Sequence, residues 1–240
     1  MQPIGSAWDD TSILHGVLGL TPSSTASTLG NPSPFESMFR QNVLDNGRFT
    51  MRLREPRELL FGTMNNEAFA GELVEVPLTN KSGRFLLTGR WQAEAEYMAL
   101  GTKPGIRYSL EGYTAAFTTR SAFMLLPDEM VFDLWQTLEF EDFMFLPPSI
   151  QCDRRRLLPD LTFNLAGKNF TLTPYDYTFV FPVEGASSRC VSALMTFGVE
   201  QYDEIVLGSA FLRAFYSVFD LERRTIACMM FPFSYLWQVC

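Results

Sequence analysis

Along the 240-residue chain, apolar and polar positions alternate in short bursts separated by glycine, proline and small polar residues. That rhythm belongs to strands joined by turns rather than to long helices. The cleanest alternation covers residues 89–98, where Trp91, Ala93, Ala95 and Met98 are interleaved with Gln92, Glu94 and Glu96. It predicts a strand in a sheet with one wet face. Residues 158–170 predict a hairpin turning at Ala166-Gly167-Lys168-Asn169. Further strands are predicted at 15–20 (pinned between glycines), 48–53, 58–62, 71–78 and around Phe179. Two segments read as helices. Residues 34–44 place Phe35, Met38 and Phe39 on one side, and residues 128–135 follow Pro127. Residues 1–14 are small and polar and are expected to be poorly ordered, while 21–34 read as a loop. No repeat has solenoid spacing. The class expected from this pattern is all-β.

One stretch has an order of its own. Ala115-Ala116-Phe117 reads as a buried strand and Thr118-Thr119-Arg120-Ser121 as a tight polar turn. Ala122-Phe123-Met124-Leu125-Leu126 is a second apolar run, closed by Pro127 and a helix. This resembles the second half of a pepsin-like aspartic protease, where two apolar residues precede Asp-Thr-Gly-Thr-Ser, more apolar residues, Leu-Pro and a helix. Aligned from Leu126-Pro127, the family's catalytic aspartate falls on Thr118. Thr119 keeps the family's threonine, Arg120 replaces its glycine, and Ser121-Ala122 replace Thr-Ser. A second stretch is the more specific match. Ile205-Val206-Leu207-Gly208-Ser209-Ala210-Phe211-Leu212-Arg213 is followed by Phe215-Tyr216 and Val218-Phe219-Asp220 in the family's order, with only the aspartate after Gly208 changed, to Ser209.

The resemblance runs from about His15 to Ala227. It implies an all-β, pepsin-like C-terminal lobe, mostly antiparallel sheets with short helices, at 57–240. A remnant of the first lobe is expected at 1–56. Of the four cysteines, Cys152 and Cys190 match the family's second-lobe disulfide, whereas Cys228 and Cys240 have no counterpart. Cys228 lies in the apolar segment 225–231 and is expected to be a core thiol.

Aspartic proteolysis needs two neighbouring carboxylates that share a proton, one activating water and the other protonating the substrate carbonyl. In the family each lobe donates one, from an Asp-Thr/Ser-Gly turn. None of the eleven aspartates here is followed by Thr-Gly or Ser-Gly, and the segment that would hold the first carboxylate is expected to lie before residue 1. A threonine hydroxyl does not ionise near neutral pH, so Thr118 does not replace the lost acid. The expectation is a pseudoprotease with no intact catalytic residue. Its binding-cleft candidates are Thr118, Arg120, Ser121 and Ala122, with Thr119 beside them. If buried, Arg120 would need an acidic partner or a rearranged turn. Alternative readings are a truncated product of an aspartic endopeptidase gene and an accessory enzyme using the remaining cleft for a non-peptide substrate.

Other chemistry finds little support. His15 is the single histidine, so a Ser-His-Asp triad or a zinc site of ordinary composition is not expected, and the hydrolase, zincin, Walker and dinucleotide motifs are absent. Glu139-Phe140-Glu141-Asp142 reads as a solvated helix end rather than a cation loop. No metal and no cofactor are expected. The net charge of −8 argues against a nucleic-acid surface, and Asp153-Arg154-Arg155-Arg156 reads as a solvated turn. No apolar run approaches the roughly 20 residues of a bilayer span, and no signal peptide is visible. Neither nucleic acid nor membrane is therefore expected as a partner. The expected partners are a peptide or small apolar ligand and a second chain or other protein covering an exposed lobe junction. Asn80 and Asn169 head N-glycosylation patterns.

Overall fold

The computed structural model describes residues 17–22, 32–81, 91–101, 105–143, 146–183, 185, 187–198 and 203–231. Helix α1 (Pro34–Arg40) is followed by strands β1 (Arg48–Arg52), β2 (Glu58–Phe61), β3 (Val74–Pro77), β4 (Gln92–Leu100), β5 (Ile106–Ser109), β6 (Thr114–Phe117) and β7 (Met124–Leu126). Then come α2 (Asp128–Thr137), β8 (Glu141–Phe143), β9 (Leu146–Gln151) and a 3-10 turn, Cys152–Leu157. β10 (Leu161–Leu165), β11 (Lys168–Leu172), β12 (Thr178–Phe181), β13 (Arg189–Ser192), β14 (Leu194–Thr196) and β15 (Glu204–Leu207) follow. The last elements are α3 (Ser209–Leu212), β16 (Phe215–Asp220) and β17 (Thr225–Met230). The fold is mostly β, with antiparallel and mixed sheets and a few short helices, as the alternation predicts.

Three sheets organise these strands. A five-stranded sheet runs β2-β1-β16-β17-β3, and a four-stranded sheet runs β12-β13-β9-β8. The largest runs β11-β10-β4-β6-β15-β7-β14, with β5 paired to β4. Most pairings are antiparallel, but β15 lies parallel to β6, Leu207 opposite Phe117, and β14 lies parallel to β7. A continuous aromatic seam joins the sheets. Phe49 stacks on Phe219 at 4.7 Å, Phe35 meets Phe49 edge-on at 5.0 Å, and Trp91 packs on both Phe49 and Phe219. Residues on both sides of position 56 therefore share one apolar core, which extends through Phe163, Phe170, Phe211 and Phe215. Burial of each such ring stabilises the fold by about 2–3 kcal/mol.

Local chemistry sets the element ends. Ser33 caps α1, its hydroxyl accepting from the Glu36 N–H, and Pro34 occupies the first turn, where a missing N–H has no consequence. The helix stops at Arg40 rather than continuing to Leu44. Asn42 takes φ 55° while its N–H and that of Val43 return to the carbonyls of Phe39 and Met38. That is a left-handed C-terminal cap, a role asparagine tolerates well. α2 ends in the same way. Glu139 has φ 55° and the Phe140 N–H reaches the Trp135 carbonyl. Phe140 is buried, and Glu141 and Asp142 belong to β8, so the acidic string is a helix cap that runs into a strand, its three carboxylate residues exposed as expected. The hairpin turn needs only Ala166 and Gly167, both at positive φ, and Lys168 and Asn169 already belong to β11.

Two further expectations change. Residues 17–20 pair with no strand among the described residues. Val17 and Leu18 are exposed, and only Leu20 is anchored, its carbonyl accepting from the Trp91 indole at 3.0 Å. The third strand begins at Val74 rather than Gly71, whose φ of +90° does not suit a ladder. His15, Cys240 and residues 1–14 lie outside the described residues.

Candidate functional site

The turn after β6 is held from three sides. β15 inserts between β6 and β7, so the two strands flanking the turn are joined through a segment far along the chain. At the turn itself the Thr118 N–H donates to the Leu207 carbonyl at 3.2 Å. The N–H groups of Ser209 and Ala210 donate to the carbonyls of Ser121 and Ala122 at 2.8 and 3.0 Å. Behind it, the Phe117 N–H bonds the Trp91 carbonyl and the Met124 N–H bonds the Ala193 carbonyl. Gly208 is required by close approach. A Cβ there would lie 2.1 Å from the Phe123 carbonyl oxygen and 2.6 Å from that of Ser121.

Side chains finish the turn locally. The Thr118 hydroxyl accepts from the Arg120 N–H at 3.1 Å, closing a hydroxyl-capped turn of the kind Ser, Thr, Asn and Asp all form. The Ser121 hydroxyl accepts from the Phe123 N–H and donates to the Phe123 carbonyl. Phe123 meets Phe179 of β12 edge-on at 5.8 Å. Thr118 and Ser121 are half-buried, while Thr119, Arg120 and Ala122 are exposed. Because Arg120 faces solvent, the turn accommodates it without a buried acidic partner.

The sequence reading missed a second polar centre, in the loop between β11 and β12. Asp176 accepts from the Thr173 N–H and hydroxyl, and from Arg54 at 2.6 Å. Arg213 donates to the carbonyls of Tyr175, Asp176 and Thr178. Arg155 donates to those of Pro174, Tyr175 and Thr178 and lies over the Tyr175 ring. Arg155 is therefore a structural clamp and not part of a solvated turn. Burial holds both guanidiniums below their usual pKa, opposed by Asp176, and for Arg213 the neighbouring Arg155 and Arg54 push the same way as burial. Pro174-Tyr175-Asp176-Tyr177 and Arg213 were each visible in the sequence, but nothing in it says that they meet.

The remaining candidates fall elsewhere. Cys152 and Cys190 form a disulfide with Cα atoms 4.9 Å apart, tying the 3-10 turn to β13. Cys228 is a buried free thiol beside Ser217, and burial pushes its pKa up to about 12. Asn80 and Asn169 are exposed. The Asn80 side-chain oxygen accepts from Arg224, and that of Asn169 accepts from Tyr97 and Asn164. Ser82, the third residue of the Asn80 pattern, lies outside the described residues. Among the described residues no group of three acidic, histidine or cysteine side chains is placed to hold a metal, and no helix is long and apolar enough to cross a membrane.

Comparison with known proteins agrees with this frame. Residues 6–229 match the family described as eukaryotic aspartyl protease. The chain is 33% identical over 221 residues to vacuolar protease A of Aspergillus fumigatus, covering 88% of this chain and 51% of that protein. It is 28% identical over 214 residues to cathepsin E of Oryctolagus cuniculus, covering 85% and 51% of the two chains. With gastricsin of Mus musculus the identity is 24% over 216 residues, at 88% and 53% coverage. The chain thus spans about half the length of these relatives. By its sequence match, with the crossed strands and turn just described, it belongs to the eukaryotic aspartyl protease family.

Proposed function

We propose that this chain is a pseudoprotease, a family member whose second-lobe turn is kept as a binding surface rather than as half of a catalytic pair. The observation that carries the proposal is the residue at the turn. Thr118 occupies the position where the resemblance puts the catalytic carboxylate, and its hydroxyl is used to cap the Arg120 N–H. A hydroxyl can close this turn, but it cannot serve as the ionised base that activates water at the pH where a carboxylate pair works. The ligand is an extended peptide or a small apolar molecule, since the surrounding surface combines polar turn residues with the exposed Ala122 and the half-buried Phe123. The same reading includes association with a second copy of the chain. It is supported by the exposure of Val17, Leu18 and Leu59 and by the position of β2 at the end of its sheet.

The test is a proteolysis assay on a denatured protein substrate between about pH 3 and 7, the range in which paired carboxylates act. It is run with and without a transition-state peptide inhibitor of aspartic proteases, beside Thr118→Asp. No cleavage by the native chain is expected. Inhibitor-sensitive cleavage by the native chain would overturn the proposal. Sedimentation velocity tests association, and a monomer at every concentration would count against it.

A further inference from the structure

The charge at the candidate site is reversed relative to what the family's frame carries. Where the resemblance places an acid there is none, and the residue two positions on is a cation. The hydrogen bonds and ring contacts of the turn bring Leu207, Gly208, Ser209, Ala210, Ala193 and Phe179 against it, and none of these is ionisable. Arg120 is exposed, and its guanidinium has no ion pair, hydrogen bond or ring partner among the described residues. In this it differs from Arg54, Arg155 and Arg213, whose donors are engaged with Asp176 or backbone carbonyls. The same turn and the segment bonded to it carry two hydroxyls for which no partner is seen among the described residues, on the exposed Thr119 and the half-buried Ser209, whose N–H bonds the Ser121 carbonyl.

The backbone beneath Arg120 is fixed. Its own N–H is bonded to the Thr118 hydroxyl, and the turn is locked against Gly208 and Ser209. An exposed guanidinium without a partner, on a turn pinned by hydrogen bonds, suits the two oxygens of a carboxylate. Arginine presents a planar fork of donors, and little of its backbone freedom remains to be lost on binding.

We infer that Arg120 makes this turn a carboxylate-reading site, so that the bound peptide presents either an acidic side chain or its own C-terminal carboxylate over residues 118–122. The inference rests on the reading of the turn as a non-hydrolytic peptide-binding surface and names the chemistry it selects.

Fluorescence anisotropy tests it with labelled apolar octapeptides carrying Glu, Gln or Lys at the centre, each with a free or an amidated C-terminus. The amidated Glu peptide reports side-chain recognition, and the Gln peptide with a free terminus reports terminal recognition. One of these is expected to bind about tenfold more tightly than the amidated Gln peptide, as one charge-assisted pair allows, and the amidated Lys peptide more weakly than either. Arg120→Gln should remove the preference, and Arg120→Lys should keep part of it. An unchanged thermal midpoint shows that the fold is intact. Equal binding of all native pairs, or a preference that survives Arg120→Gln, overturns the inference and leaves the peptide-binding reading standing. If no peptide in the set binds, both fail.

Discussion

Two loops of this chain are both held by hydrogen bonds, yet they differ in what they leave unused. In the loop at 173–178 the side chains and carbonyls are drawn together. Asp176, Thr173 and Thr178 are paired within the loop, and three arginines from distant segments close over it. In the turn at 118–123 the N–H groups of Thr118, Arg120 and Phe123 and the carbonyls of Ser121 and Ala122 are paired, but Thr119, Arg120 and Ala122 at its tip are exposed. Polar groups whose partners are internal stabilise a fold, whereas groups left open on a fixed backbone are available to a ligand. The comparison also shows how such a turn can be held in place whatever its tip carries. The turn is positioned by strand insertion and by Gly208, neither of which depends on what residue 118 does beyond accepting one hydrogen bond.

The largest expected effect lies in the closed loop. Asp176→Ala leaves Arg54 and part of the Arg213 charge uncompensated and should cost about 3–5 kcal/mol, as the loss of one member of a buried pair does. Denaturant unfolding of the variant measures it, and a loss below about 1 kcal/mol would reduce the arginine clamp to surface decoration. Next comes Gly208→Ala. The added Cβ meets two backbone carbonyls at less than 3.0 Å, so the turn must shift, at a cost of about 3 kcal/mol. It should also weaken any ligand the turn holds.

Smaller effects sharpen the contrast. Thr118→Val keeps the shape and removes the hydroxyl cap, which should lower stability by about 1 kcal/mol in the same unfolding experiment. Arg120→Gln should change stability by less than about 0.5 kcal/mol, because an exposed side chain without a partner has little to lose. A large loss there would mean that the tip is structural after all.

A pH effect separates the core from both loops. Burial raises the Cys228 thiol from 9.0 to about 12. The unfolded chain therefore gives up this proton first, and as pH rises through that interval the unfolded state binds fewer protons than the native one. The stabilisation is complete below pH 9.0 and is lost toward about 12. The urea midpoint should fall as pH rises from 9.0, and Cys228→Ser should make that fall shallower.

Much of the fold was legible because its determinants are local. The alternation through Glu94 and Glu96 gave β4, the proline before Asp128 marked the start of α2, and the Ala166-Gly167 pair located the hairpin turn. What the sequence hid depends on distant contacts. Residues 17–20 have strand composition but no partner strand among the described residues, and the last turn of α1 was overrun because its stop is asparagine at positive φ rather than glycine, whereas α2 runs on from the predicted 135 to Thr137. Arg155 sits in a run of charge that reads as surface, and only the position of the Tyr175 loop makes it a clamp. At the site, the polar turn Thr118-Thr119-Arg120-Ser121 was readable, whereas the exposure of Arg120 required the folded turn.

The insertion of β15 between β6 and β7 also sets an order of events during synthesis. The turn's backbone partners are Leu207, Ser209 and Ala210, so residues 118–122 leave the ribosome long before anything exists to hold them. Until the segment 204–210 emerges, β6 and β7 present unpaired edges and apolar faces to the cell. Such non-local pairing is slow and exposes the chain to misassembly. The nascent chain is therefore most open to misassembly during the interval between those two segments, and a pause in translation there would prolong the exposure.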